Sequence, residues 1–168
     1  DEINIYNNIF DKGDVENILK QGSFKDSPRS KFWLKNCKNE SFINKIAEIT
    51  KINSCFFENA CIVKYNEKHN SHQDAYNLKT DIGKKYTKKL GQRVYTITGF
   101  LDDNTIFNFP KLTTKHEGKF GQLLFYKNTL ENTNKRNEKM IKEINCLETS
   151  VIFNIYVREF TKDGKPLF

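Results

Sequence analysis

The spacing of hydrophobic positions changes near residue 53. Before that point, two segments carry apolar residues at helical intervals. Val15, Ile18 and Leu19 follow Asp14, a residue suited to capping a helix, and Gly22 closes the run. Phe42, Ile43, Ile46, Ala47 and Ile49 follow Ser41 in the same way, and this helix is predicted to end before Asn53. A β-type run with imperfect alternation, Ile3 to Phe10, precedes both helices. A polar stretch with Pro28 and a short apolar segment, Phe32-Trp33-Leu34, lies between them. Beyond Asn53, β-branched and aromatic residues take over. Strands are predicted for Cys55 to Tyr65, Arg93 to Leu101, Thr105 to Phe109, Phe120 to Tyr126, Met140 to Leu147 and Val151 to Phe160. Residues 75–92 and 127–139 read as polar, exposed loops. Helices first, then many strands joined by tight turns, predict one α+β, mainly β domain over residues 1–168. Helical support is expected over 1–53 and an antiparallel barrel or jelly roll over 54–160.

Composition narrows the partners. The 168 residues suffice for one domain with a real core. The net charge is +7, but the lysines are spread out, and the nearest cluster, Lys84, Lys85, Lys88 and Lys89, reads as a solvated loop. That charge admits an acidic partner. The dispersion, and the lack of an aromatic-basic RNA motif, argue against nucleic acid. No apolar run approaches the roughly 18 residues that span a membrane, so no membrane partner is expected. Cys37, Cys55, Cys61 and Cys146 show no C-x-x-C spacing. Cys55 and Cys61 lie in an apolar run and are expected to be buried thiols, which favours a reducing, intracellular setting.

The chemistry concentrates in Tyr65 to Asp74, YNEKHNSHQD, which holds two of the chain's 3 histidines. It ends in His72-Gln73-Asp74. In an extended segment, side chains two residues apart point the same way. An imidazole and a carboxylate so placed make up most of the facial triad that binds non-haem Fe(II). His69 is an accessory candidate that reads more simply as a loop residue. His116 reads as a surface histidine and Cys146 as a buried thiol.

Further segments follow in a characteristic order. They are Gly91-Gln92-Arg93-Val94-Tyr95-Thr96 running to Phe100-Leu101-Asp102-Asp103, then Thr105-Ile106-Phe107-Asn108-Phe109-Pro110, then Lys119-Phe120-Gly121-Gln122-Leu123-Leu124-Phe125, then Asn154-Ile155-Tyr156-Val157-Arg158-Glu159. With Tyr65 and the H-x-D, the chain from about Asn53 to Glu159 resembles the prolyl 4-hydroxylase branch of the Fe(II)/2-oxoglutarate-dependent dioxygenases. The resemblance implies a double-stranded β-helix, a cupin-like jelly roll with N-terminal buttressing helices. It implies His72 and Asp74 as metal ligands, and Tyr65 and Tyr95 as contacts to 2-oxoglutarate. With Tyr156 set on the family's aromatic, the basic residue that grips 2-oxoglutarate falls on Ser150. The distal histidine falls on Met140 or Ile141, and no histidine follows His116. If residues 138–142 are extended, Glu138 would supply an oxygen ligand and Lys142 a positive charge. Exposed charges in a polar excursion are the simpler reading of both. Arg93 or Arg158 would be a substitute anion anchor. The resemblance thus implies an oxygenase using Fe(II) and 2-oxoglutarate on a peptidyl or other side chain, with altered or lost metal ligation. The alternative is a catalytically degenerate copy of the fold that binds a protein or peptide.

Overall fold

The computed structural model describes residues 3–168. In chain order its first strands are β1 (Ile3–Tyr6), β2 (Arg29–Trp33), β3 (Cys61–Tyr65), β4 (His69–His72) and β5 (Arg93–Phe100). Then come β6 (Thr105–Phe109), β7 (Thr114–Glu117), β8 (Leu123–Lys127), β9 (Lys142–Cys146) and β10 (Ser150–Arg158). They form two antiparallel sheets, ordered β1-β8-β5-β10-β3-β2 and β4-β9-β6-β7. The helices are α1 (Lys12–Leu19), α2 (Ser41–Thr50) and α3 (Asp81–Thr87). The α+β, mainly β expectation and the jelly-roll architecture are met.

Period-2 alternation on the larger sheet divides its side chains between two cores. Phe153, Ile155 and Val157 of β10, Ile97 of β5 and Ile62 of β3 pack against Ile18 of α1 and Phe42, Ile43 and Ile46 of α2. Their neighbours Ile152, Phe100, Val63, Leu124 and Tyr126 face the other way and meet Phe107, Phe109 and Ile144 of the smaller sheet. Helices on one face and a second sheet on the other leave β10, β5 and β3 buried on both sides. Their near-continuous apolar runs follow from that placement.

Several boundaries differ from the sequence expectation. α1 starts earlier, because Asp11 is its cap. Asp14 is the third residue of the helix and returns a bond to the Asp11 amide, each of the paired bonds being 2.9 Å. α2 has Glu40 at its cap position and begins at Ser41. α3 falls within a segment expected to be loop. Its signals are local and polar: Thr80 accepts from the Gly83 amide at 3.0 Å and Asp81 sits in the first turn. Its apolar Ile82 is exposed, so no apolar stripe marked it. The run from Cys55 becomes strand only at Cys61, and Cys55 is exposed in a short 3-10 turn, not buried. β4 and β7 are polar strands that no apolar alternation announces. Residues 1–53, expected as helical support, also supply both edge strands of the larger sheet, β1 and β2.

Gly99 lies directly across from Phe153 in the β5–β10 pair, and a Cβ there would stand 2.1 Å from the Phe153 ring. Overpacking a fitted core costs about 1–3 kcal/mol. Gly99→Ala is therefore expected to lower the unfolding free energy by about 1–3 kcal/mol, seen as a lower urea midpoint with an unchanged m-value. An unaltered midpoint would show that the Phe153 ring moves freely.

Candidate functional site at the barrel mouth

The site begins with the register of the smaller sheet. β4 pairs with β9 so that His72 lies across from Lys142. On β9 the side chains of Lys142 and Ile144 point the same way, and Ile144 is in the core between the sheets. Lys142 is thereby carried inward and is 1% exposed. Its Nζ donates to Oδ2 of Asp74, itself buried. The same oxygen accepts from Thr96 Oγ1 of β5 at 2.7 Å and from Tyr126 Oη of β8 at 3.1 Å. Asn128 Nδ2 donates to Thr96 Oγ1 at 2.7 Å and closes the network behind it. Burial alone would raise the Asp74 carboxyl. The Lys142 charge, with His72 and the Lys142 and Thr96 hydrogen bonds, overcomes it and holds the group well below the usual carboxylate range. Burial likewise pushes Lys142 down, and Asp74 pulls it back up. Tyr126 is raised well above its ordinary value by burial and by the neighbouring Asp74, so it donates as a neutral phenol.

His72 Nε2 is 3.8 Å from Asp74 Oδ1, and its Nδ1 is 3.1 Å from the Asn70 carbonyl. The H-x-D spacing therefore does bring imidazole and carboxylate together, although β4 ends before Asp74. Burial first, then the Lys142 charge, lowers the His72 pKa to about 4, with Asp74 opposing. At neutral pH the ring is uncharged. His69 stands beside it, ring centroids 4.6 Å apart, and Tyr65 lies 5.9 Å beyond His69. Burial pushes the Tyr65 hydroxyl up to about 12. These residues line a cleft of about 200 Å³ whose outer wall is Arg29, Lys31 and Trp33 of β2. A larger depression of about 620 Å³ near Phe24 and Pro28 contains none of the candidate residues.

Other candidates lie elsewhere. Tyr95 is on the opposite face of β5, stacked on Phe125 at 4.9 Å, and Thr96 faces the site in its place. Ser150 is fully buried across from Tyr65, and its hydroxyl has no partner among the described residues. Met140 is in the core between the sheets and Ile141 is half-buried beside it. Glu138 is exposed, within 3.2 Å of Gln73 Nε2 and 3.3 Å of Arg136. His116 is half-buried and hydrogen-bonded to Gln122 Oε1 at 3.0 Å, and Cys146 is half-buried. Arg93 lines the cleft, but its guanidinium is bound to both oxygens of Glu58, at 2.7 and 3.0 Å, and stacks on Tyr156 at 3.8 Å. Arg158 shares Glu58 at 3.1 Å and donates to the Tyr86 carbonyl of α3 at 2.6 Å. Sequence reasoning missed Thr96, Tyr126 and Asn128, and it read Lys142 as exposed. The signal for Lys142 was Ile144, an apolar residue on the same face of a strand.

Solved prolyl hydroxylases share this architecture. The viral collagen prolyl hydroxylase of Paramecium bursaria Chlorella virus-1, in complex with 2OG, superposes with a TM-score of 0.73 at 18% identity. The match covers 94% of this chain and 96% of that one. The chain has the prolyl 4-hydroxylase fold. A Pseudomonas putida prolyl-4-hydroxylase matches with a TM-score of 0.56 at 8% identity, covering 94% of this chain and 92% of the other. No family model and no curated protein sequence matches the chain. Within the prolyl 4-hydroxylase fold, then, the mouth of this barrel carries a buried lysine–aspartate pair.

Removing one partner of a buried ion pair typically costs about 3–5 kcal/mol, because the other charge is stranded. Lys142→Met is expected to destabilise the fold by that order in urea unfolding, and Lys142→Met with Asp74→Asn to recover most of the loss. A single-variant cost below about 1 kcal/mol would contradict the pairing. A second expectation concerns pH. The folded His72 refuses a proton until about pH 4, whereas the unfolded chain takes one up near 6.5. Stability present above pH 6.5 is thus lost as pH falls towards 4. His72→Gln should flatten the dependence of the unfolding midpoint across that window, and an unchanged slope would refute the assignment.

Proposed function

We propose that this chain is a prolyl 4-hydroxylase fold that has become a binding module, with the Lys142 ammonium standing where the resemblance would place a metal cation. The observation that carries this reading is the buried contact between Lys142 Nζ and Asp74 Oδ2. Asp74 Oδ2 already accepts from lysine, threonine and tyrosine. A protonated lysine has no lone pair to offer a metal. It also repels one: like unit charges about 4 Å apart cost roughly 4 kcal/mol at an effective dielectric near 20, and a divalent ion doubles that. Among the described residues no group of three His, Cys, Asp or Glu side chains is placed to share an ion. These residues do not fit Fe(II). The prospective anchor for 2-oxoglutarate is equally altered. Ser150 is neutral, and both Arg93 and Arg158 are committed to Glu58. What remains is a cleft with aromatic and cationic walls, open to a protein or peptide. No helix among the described residues is long and apolar enough to cross a membrane.

One observation favours a second reading, an oxygenase with altered ligation. The His72 ring is held neutral, the form that binds metals, beside His69. A single experiment separates the two. The wild-type protein, titrated anaerobically with Mn(II) and 2-oxoglutarate by calorimetry and electron paramagnetic resonance, is expected to bind neither. It should release no succinate from 2-oxoglutarate with Fe(II) in air. Lys142→His removes the ammonium and adds an imidazole across from His72, so it is expected to raise Mn(II) affinity at least tenfold over wild type. Mn(II) binding by wild type that disappears in His72→Ala, or succinate release, would overturn the binding reading in favour of the oxygenase.

A further inference from the structure

The outer wall of the cleft is β2, an edge strand of the larger sheet. Its pairing with β3 fixes which way its backbone faces. Leu34 N donates to Ala60 O at 2.9 Å and Asn66 N to Pro28 O at 2.9 Å, which makes 34 and 28 inward-bonded positions. In an antiparallel ladder, inward and outward positions alternate. Ser30 and Phe32 therefore bond to β3, while Arg29, Lys31 and Trp33 turn their amides and carbonyls outward. The Arg29 carbonyl is taken by Ser27 Oγ at 2.8 Å. The backbone groups of Lys31 and Trp33 have no outward partner among the described residues. By the same alternation, the side chains of Arg29, Lys31 and Trp33 share the face that lines the cleft. All three are exposed, Trp33 by 43%. The one carboxylate in the cleft, Asp74, is already neutralised by Lys142.

We infer that β2 is a docking edge for an extended acidic peptide, which adds a strand to the larger sheet and places carboxylates over Arg29 and Lys31 and an apolar side chain on Trp33. The inference rests on the binding reading above and names the class of its partner. Free outward backbone groups on a strand edge are satisfied by another strand, and side chains beside them choose which strand. Here the chosen charge is negative. The same cations discourage a second copy of this chain, whose net charge is also +7, so the edge rejects self-pairing while accepting an acidic segment. Nucleic acid would answer the cations but not the row of amides and carbonyls.

Trp33 is the chain's only tryptophan, so it reports on the site directly. Wild-type protein is titrated with a short peptide that carries glutamate, glutamate and valine at three successive alternate positions, with threonine between them, so that all three share one face of the added strand, while Trp33 emission is followed. The expected result is a saturable change in emission. Affinity should fall roughly tenfold in Arg29→Gln/Lys31→Gln, whose substitutions are on exposed side chains. A peptide with glutamine for glutamate, and one N-methylated at alternate peptide bonds, should also bind at least tenfold more weakly. The N-methylated peptide tests the backbone ladder without altering the protein. Failure of the acidic peptide to bind, or indifference to N-methylation, would overturn the inference, as would tighter binding of a single-stranded oligonucleotide. Mn(II) and 2-oxoglutarate are added in a parallel titration. If neither they nor the peptide binds, only this inference falls. If they bind, the reading beneath it falls as well.

Discussion

One buried charge pair ties the mouth of the barrel together. Lys142 comes from the smaller sheet, Asp74 from the loop after β4, and Thr96 and Tyr126 from two strands of the larger sheet. Their polar atoms converge on one carboxylate oxygen in a region otherwise filled by Phe100, Phe107, Phe109 and Ile152. Stranding either charge there is expensive, whereas the pair with its two hydroxyl donors is tolerated. The pair therefore constrains more than its own strands. It sets how the sheets close at this end, and its ammonium adds to burial, the larger cause, in keeping the His72 ring uncharged against the pull of Asp74.

A second constraint holds the segments that cover the barrel's flank. Glu58 is shared by Arg93 and Arg158, and Arg158 reaches on to the Tyr86 carbonyl of α3. Tyr76 stacks on Tyr86 at 5.6 Å, and its ring lies 4.8 Å from the guanidinium of Arg93. Gln92, fully buried, exchanges bonds of 2.7 and 2.9 Å with the Tyr76 backbone and donates to the Asn134 carbonyl at 3.1 Å. A glutamine side chain thus plays the part of a strand between segments 75–92 and 127–139. Arginine suits the neighbouring role because its planar fork satisfies both oxygens of one carboxylate and still stacks on a ring.

These two constraints explain what the sequence disclosed and what it hid. The switch from helical to strand periodicity near residue 53 was legible because burial on a sheet or helix face is a local pattern, and β5, β6 and β10 followed it closely. The order of segments around His72-Gln73-Asp74 disclosed the fold for the same reason. Polar elements were hidden. β4 forms against β9, far along the chain, β7 forms as the polar outer arm of a hairpin with β6, and α3 forms on a cap made by a single side chain. Lys142 was hidden most thoroughly. A lysine in a polar stretch reads as exposed, since burial is worthwhile only with a carboxylate waiting, and that carboxylate lies far back in the chain at Asp74. Tyr95 was misplaced by a single step of alternation, which carries a side chain to the other face of its strand.

A metal ion in a protein is a guest. It can be withheld, chelated, exchanged for a competitor or driven to another oxidation state. The cation beside Asp74 is none of these things, because it is joined to the backbone at Lys142 and arrives with the chain during synthesis. The charge that closes this end of the barrel on Asp74 is therefore a fixed part of the chain, set in place by the register of β9 and not by anything taken up from outside.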